Sequence, residues 1–338
     1  MNRLWTWLLL AMGTAAMNGG EVTEEFDNQS GFRIYTLSQG DIIAKIVPDA
    51  GFNVSSIRFQ GREMLRTPPT FNELPGFLYG VPILYPTPNR VRDGKLRLGE
   101  ETITYKPNNG PNFLHGLVHS VPFTIGDILK TADSVSLSAY LVFDAGTAWY
   151  AGFPRRHTLQ VKVTVTGDAV RWTYEVDNSA GSEPVPFGFA LHPWFLDQSP
   201  RQQVRLTVPA TALMQSENLL PTGKLVDLKG TKYDLRDGKI LEGVMLDDVY
   251  IGMKPEHPAR IDYLQEKISI TLKASAEFTH MVVFTEQPGH FCVENQTCST
   301  DAHNLDAAGV KEPAHLLVAK PHTTATGWVE FHFGKSSP

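Results

Sequence analysis

Three stretches of this sequence hold side chains that can move protons or grip hydroxyl groups. The first, Pro88-Asn89-Arg90-Val91-Arg92 followed by Asp93-Gly94-Lys95, sets guanidinium groups beside a tight turn. A guanidinium presents a fixed fork of donors suited to ligand hydroxyls, although an arginine at a turn equally serves as a solvated surface charge. The second, Asn112-Phe113-Leu114-His115-Gly116-Leu117-Val118-His119, spaces two histidines four residues apart, as a zinc-binding helix does. Pro111, Gly116 and Pro122 oppose a helix there, and the glutamate of an HExxH motif is missing, so no metal site is expected. The third, Phe291-Cys292-Val293-Glu294-Asn295-Gln296-Thr297, ends an alternating apolar strand on a carboxylate. Glu294 is either a plain surface acid or a carboxyl whose pKa desolvation raises toward useful basicity.

Two further segments carry titratable groups. His192 sits in Phe187-Gly188-Phe189-Ala190-Leu191-His192-Pro193-Trp194-Phe195, in aromatic company, where a core histidine with one satisfied hydrogen bond is the alternative to a catalytic one. Leu246-Asp247-Asp248-Val249-Tyr250 adds an acidic pair that in isolation is an ordinary turn.

The elements that position these groups are strands. Leu159, Val161, Val163 and Val165 alternate with Gln160, Lys162, Thr164 and Thr166, the two-residue period of a half-buried strand. After Gly167-Asp168 the beat resumes at Val170, Trp172, Tyr174 and Val176, which predicts a β-hairpin. It recurs at Val135 to Phe143, Ile268 to Leu272 and Trp328 to Phe333, while helical spacing never lasts three turns. The expectation is an all-β chain of antiparallel sheets packed face to face, in one domain over residues 25–335, with no repeat or linker dividing it.

Composition agrees. The 338 residues are 42% hydrophobic and 20% charged, enough apolar matter for a large core, and a formal charge of −6 argues against a nucleic-acid partner. Near the N-terminus, Arg3 precedes an apolar run that ends in small residues, Thr14-Ala15-Ala16. That run is short for a bilayer span, so residues 1–20 are expected to be a secretory signal, with a periplasmic or secreted protein and no membrane association after its removal. Cys292 and Cys298 are the only cysteines; a short disulfide loop and two buried thiols are both open.

Taken together, Asn89-Arg90-Val91, Asn112-x-x-His115-Gly116, His192-Pro193-Trp194-Phe195, Asp247-x-x-Tyr250 and Glu294-x-x-Thr297 occur in the order seen in aldose 1-epimerases. The chain resembles the galactose mutarotase family over nearly its whole length, from Gly51-Phe52-Asn53 through Phe77-Leu78-Tyr79-Gly80 to the Glu294 segment. Trp194 stands where a tyrosine is often found. The resemblance implies a large twisted antiparallel β-sandwich with an open sugar-binding cleft and no cofactor.

It also implies roles. Glu294 matches the general base and His192 the general acid, with His115 toward the ring oxygen of the sugar and Arg90, Asp247 and Asn89 as substrate-binding positions. Asp248, beside Asp247, would take its place if the register slipped by one. Opening a hemiacetal requires a proton removed from the C1 hydroxyl and one delivered to the ring oxygen, so Glu294 is expected to begin ionised and His192 protonated. Trp194, Phe195 and Phe113 are candidates to stack on the sugar, two of them expected in the core. The implied activity interconverts the anomers of a free aldohexose such as glucose or galactose. Hexose 6-phosphate epimerisation, with Arg90 and Arg92 as a phosphate pocket, and sugar binding without catalysis are the alternatives.

Overall fold

The computed structural model describes residues 19–336. The expected leader, apart from Gly19 and Gly20, lies outside the described residues. The alternating segments form a nine-stranded antiparallel sheet whose middle consists of Ser134–Phe143, His157–Thr166, Ala169–Asp177, Thr324–Lys335 and Ile268–Ala274. The predicted hairpin is present, with Val163 opposite Trp172 and Leu159 opposite Val176. Leu159, Val161, Val163 and Val165 are fully buried, each contributing about 2 kcal/mol of apolar transfer. A lysine at Val163 would place a charge in that core and unfold the hairpin from its neighbours.

A second, eight-stranded sheet packs against the first. Its middle runs Asp247–Ile251, His280–Phe284 and His290–Gln296, and Trp194–Leu196 also pairs with the last of these. Phe195 meets Phe331 at 5.4 Å and Phe189 stacks on Tyr174 at 4.5 Å, so aromatic side chains join the two layers. A five-stranded sheet from Glu21–Asp27 to Arg62–Glu63 is tied to the large sheet through Phe59 on Phe333. Its first strand therefore begins before residue 25, at Glu21. Among the described residues the α-helices are Ala302–Ala307 and Lys311–Ala314, each under two turns. Cys292 and Cys298 are both buried, free thiols. Asn53 and Asn295, which begin glycosylation-type sequons, are buried as well, so neither can carry a glycan in the folded chain.

Candidate active site

Register brings the two distant segments together. Ala190 pairs with Gln296 and Trp194 with Cys292, so His192 falls opposite Glu294 in the interval between them. Alternation along the strand then turns Cys292, Glu294 and Gln296 to one face. The other edge of the 192–196 segment is stitched to an earlier part of the chain: the His192 N–H donates to Pro82 O and the Trp194 N–H to Gly80 O, both at 3.0 Å. Arg66 N–H in turn donates to Trp194 O at 2.8 Å.

The result is His192 Nε2 at 3.4 Å from Glu294 Oε1, with the residues only 5% and 2% exposed. They lie at a cavity of about 370 Å³. The wall holds the six residues given acid–base or substrate-binding roles by the resemblance: Asn89, Arg90, His115, His192, Asp247 and Glu294.

Arg90 and His115 arrive on one short ladder. Leu114 pairs with Arg90, and the His115 N–H donates to Asn89 O at 2.9 Å. His115 has φ +71° and Gly116 φ +72°, so the two-histidine segment is a tight loop and not a helix. A Cβ on Gly116 would stand 2.4 Å from Tyr85 O, which is why glycine occupies that position. The Arg90 fork is held by donation to Asn89 Oδ1 at 3.0 Å and Asn109 Oδ1 at 3.1 Å, with Asp247 Oδ2 at 3.6 Å from Nη2. Asp247 thus resolves the one-residue ambiguity, since Asp247 lines the cavity with Arg90 while Asp248 is absent from its wall. His119 lies behind the site, edge-on to Phe77 at 5.8 Å.

Electrostatics departs from the expected starting state. Burial pushes the Glu294 carboxyl well above its ordinary value, and the charge of Asp247 adds to this; donation from Gln296 Nε2 at 3.0 Å and the charge of Arg90 oppose it. Burial pushes His192 down to about 3 and His115 well below the usual imidazole range. Burial of both groups therefore favours a neutral pair, not an ionised glutamate beside a protonated histidine. The cause is the loss of water around both groups, and a polar ligand reverses it by supplying hydrogen bonds.

Of the three aromatic candidates, only Trp194 lines the cavity. Its ring stacks on His192 at 4.9 Å and 22°, and its indole N–H donates to Phe77 O. Phe195 is in the core against Phe291, and Phe113 stacks on Tyr105. Arg92 is not in the cavity: its Nη2 donates to Pro221 O and its Nε faces Asp301 at 3.4 Å, so the Arg90–Arg92 phosphate pocket of the alternative reading is not formed. Residues that sequence reasoning did not select also line the wall, notably Arg66, Phe77, Phe284, Gln287 and His290. Phe77 belonged to a noted motif; the others have no local pattern that sets them apart.

His192, Cys292 and Glu294 place one ligand-type atom each within 4.8 Å of one another. Cys292 is fully buried and does not line the cavity, which leaves its sulfur behind the site.

A family model described as aldose 1-epimerase matches residues 33–332. The chain belongs to the aldose 1-epimerase family. A galactose mutarotase from Mus musculus is 25% identical over 228 residues, 65% of this chain and 64% of that protein. One from Bos taurus is 27% identical over 175 residues, covering 49% of each. These matches span about two thirds or less of the length of the two mammalian relatives. Among solved structures, a galactose mutarotase-like protein from Clostridium acetobutylicum superposes with a TM-score of 0.82 at 20% identity, covering 94% of this chain and 99% of that one. A galactose 1-epimerase from Lactobacillus acidophilus NCFM gives 0.76 at 16% identity, with coverage of 94% and 99%. At such identities these structures establish the shared fold. This member of the aldose 1-epimerase family is thus a mostly β protein with His115, His192, Asp247 and Glu294 gathered at one cavity.

Proposed function

We propose that this chain is an aldose 1-epimerase that interconverts the α and β anomers of a free aldohexose. The observation that carries the reading is the buried His192–Glu294 pair, 3.4 Å apart at the wall of a cavity that also holds Asn89, Arg90, His115 and Asp247. Glu294 takes the proton from the C1 hydroxyl, and His192 delivers one to the ring oxygen. The C1–O5 bond breaks, the aldehyde rotates about C1–C2, and closure on its other face returns both protons.

The pair needs one transferable proton, and the balance of its environment decides where that proton rests. Burial alone leaves it on the carboxyl. A sugar hydroxyl donated to Glu294 joins Gln296 and Arg90 in stabilising the carboxylate, which releases the proton toward His192. His115, kept neutral by burial and set edge-on to His192 at 4.9 Å, offers a further contact to the ring oxygen side. Arg90, locked by Asn89 and Asn109, and Asp247 bind ring hydroxyls from a preorganised position.

Polarimetry with freshly dissolved α-D-glucose and α-D-galactose tests this. The rotation should decay faster with protein than without it. Equal decay for both sugars, with binding still measurable by calorimetry, would reduce the cavity to a carbohydrate-binding site.

A further inference from the structure

We infer that the cavity has a second recognition end, built on Arg66, that selects aldoses bearing a carboxylate on C6, the hexuronic acids. The inference deepens the anomer-exchange reading of this site and rests on it.

Two arginines line the cavity, and they differ in one respect. Arg90 faces Asp247, whereas Arg66 has no carboxylate within ion-pair distance among the described residues. Arg66 is nevertheless held in place. Its Nη1 donates to Leu78 O at 3.1 Å, and its guanidinium carbon lies 4.5 Å from the Tyr79 ring centre and 5.6 Å from that of Trp194. Among the described residues Nε and Nη2 make no hydrogen bond, which leaves donors for a planar two-oxygen acceptor. His290, near enough to feel the Arg66 charge, lines the same end.

Sugar connectivity decides which part of a substrate reaches Arg66. The anomeric carbon lies between C2 and the ring oxygen, and the ring oxygen is bonded to C5, which carries C6. With Glu294 at O1 and His192 at the ring oxygen, C6 projects beyond His192. Trp194 stacks on His192, and Arg66 sits against Trp194, so this is the side assigned to C6. The Arg90–Asp247 pair acts on Glu294 and is assigned to the hydroxyls on C2 and C3. One uncompensated guanidinium matches the single charge of a carboxylate and undercompensates a phosphate dianion.

Anomeric exchange followed by proton magnetic resonance on D-galacturonate, D-galactose and D-galactose 6-phosphate tests the assignment. The wild-type protein should show kcat/KM for galacturonate about tenfold above that for galactose, the scale of one charge-assisted contact discounted for partial exposure. Arg66→Gln should bring that ratio to about one. A wild-type ratio of one or below, with galactose turned over, overturns the inference and leaves the anomer-exchange reading standing. Preference for the 6-phosphate overturns the carboxylate assignment. If no sugar is turned over the anomer-exchange reading fails, and calorimetry of galacturonate and galactose on the same two proteins still decides the role of Arg66: equal affinities for the wild type overturn it.

Discussion

His192 stands opposite Glu294 across an antiparallel pair, with Nε2 and Oε1 3.4 Å apart, although 102 positions separate the two residues in the chain. The contact exists because the pairs Ala190–Gln296 and Trp194–Cys292 bracket it. A one-residue slip of the 190–196 segment would turn His192 to the face away from Glu294 and dismantle the site.

Replacing the carboxylate separates chemistry from stability. Glu294→Gln should lower mutarotation by roughly 10²- to 10⁴-fold, the usual contribution of a positioned acid or base. Its thermal midpoint should match or exceed that of the wild type. Because the folded state raises the Glu294 pKa above its ordinary 4.5, wild-type stability falls as pH climbs from about that value through the folded one. The amide lacks this loss, so the stability gap between variant and wild type should widen from pH 4 to pH 8. A gap that narrows in calorimetric melts would contradict the buried carboxylate.

At Arg90 the expected loss is in binding as well as rate. Arg90→Ala removes a fork anchored on Asn89 and Asn109 and strands Asp247, which is largely shielded from water. Hydrogen bonds to charged groups are worth about 1.5–3 kcal/mol, so kcat/KM should drop by roughly 10- to 150-fold, mainly through KM. Steady-state kinetics on galactose gives the split, and an unchanged KM would remove Arg90 from substrate contact.

Acid should unfold the protein through histidines away from the reaction. Burial lowers His157 and His303 to about 4 and His280 to about 3. His157 Nδ1–H donates to Arg155 O at 2.8 Å, so its Nε2 accepts from the Tyr85 hydroxyl at 2.6 Å, and a second ring proton would break that bond. Each folded-state pKa is depressed, so the stability these groups contribute is complete above about 6.5 and is lost as pH falls toward 4. The loss is on the order of 3 kcal/mol for a shift of this size. Thermal midpoints should decline below pH 6.5, and His157→Gln should decline less steeply; equal slopes would exclude His157.

The two thiols should be silent in the folded protein. Burial raises Cys292 well above its ordinary value and Cys298 to about 12, so neither forms thiolate near neutrality. A chromogenic disulfide reagent should detect none before denaturation and both after it. Reaction of the native protein would show that one sulfur is accessible.

Local pattern was enough for the strands. The alternation at 159–165 and 170–176 marked both a strand pair and its buried face, because a two-residue period cannot satisfy a helix. Ordered short motifs also singled out Arg90, His115, His192, Asp247 and Glu294, all of which line one cavity. Distance along the chain hid the rest. That Asp247 and not Asp248 faces Arg90, that Trp194 lines the cavity while Phe195 and Phe113 do not, and that Arg92 turns away to Pro221 and Asp301 were decided by strand register and layer packing. Protonation belongs to the same level: residue type says that a glutamate and a histidine can trade a proton, but only the burial of both determines which one holds it. Arg66 shows the limit most plainly, since nothing near it in the chain announces a ligand contact, and its backbone bonds to Trp194 and Gly80 carry it to the cavity.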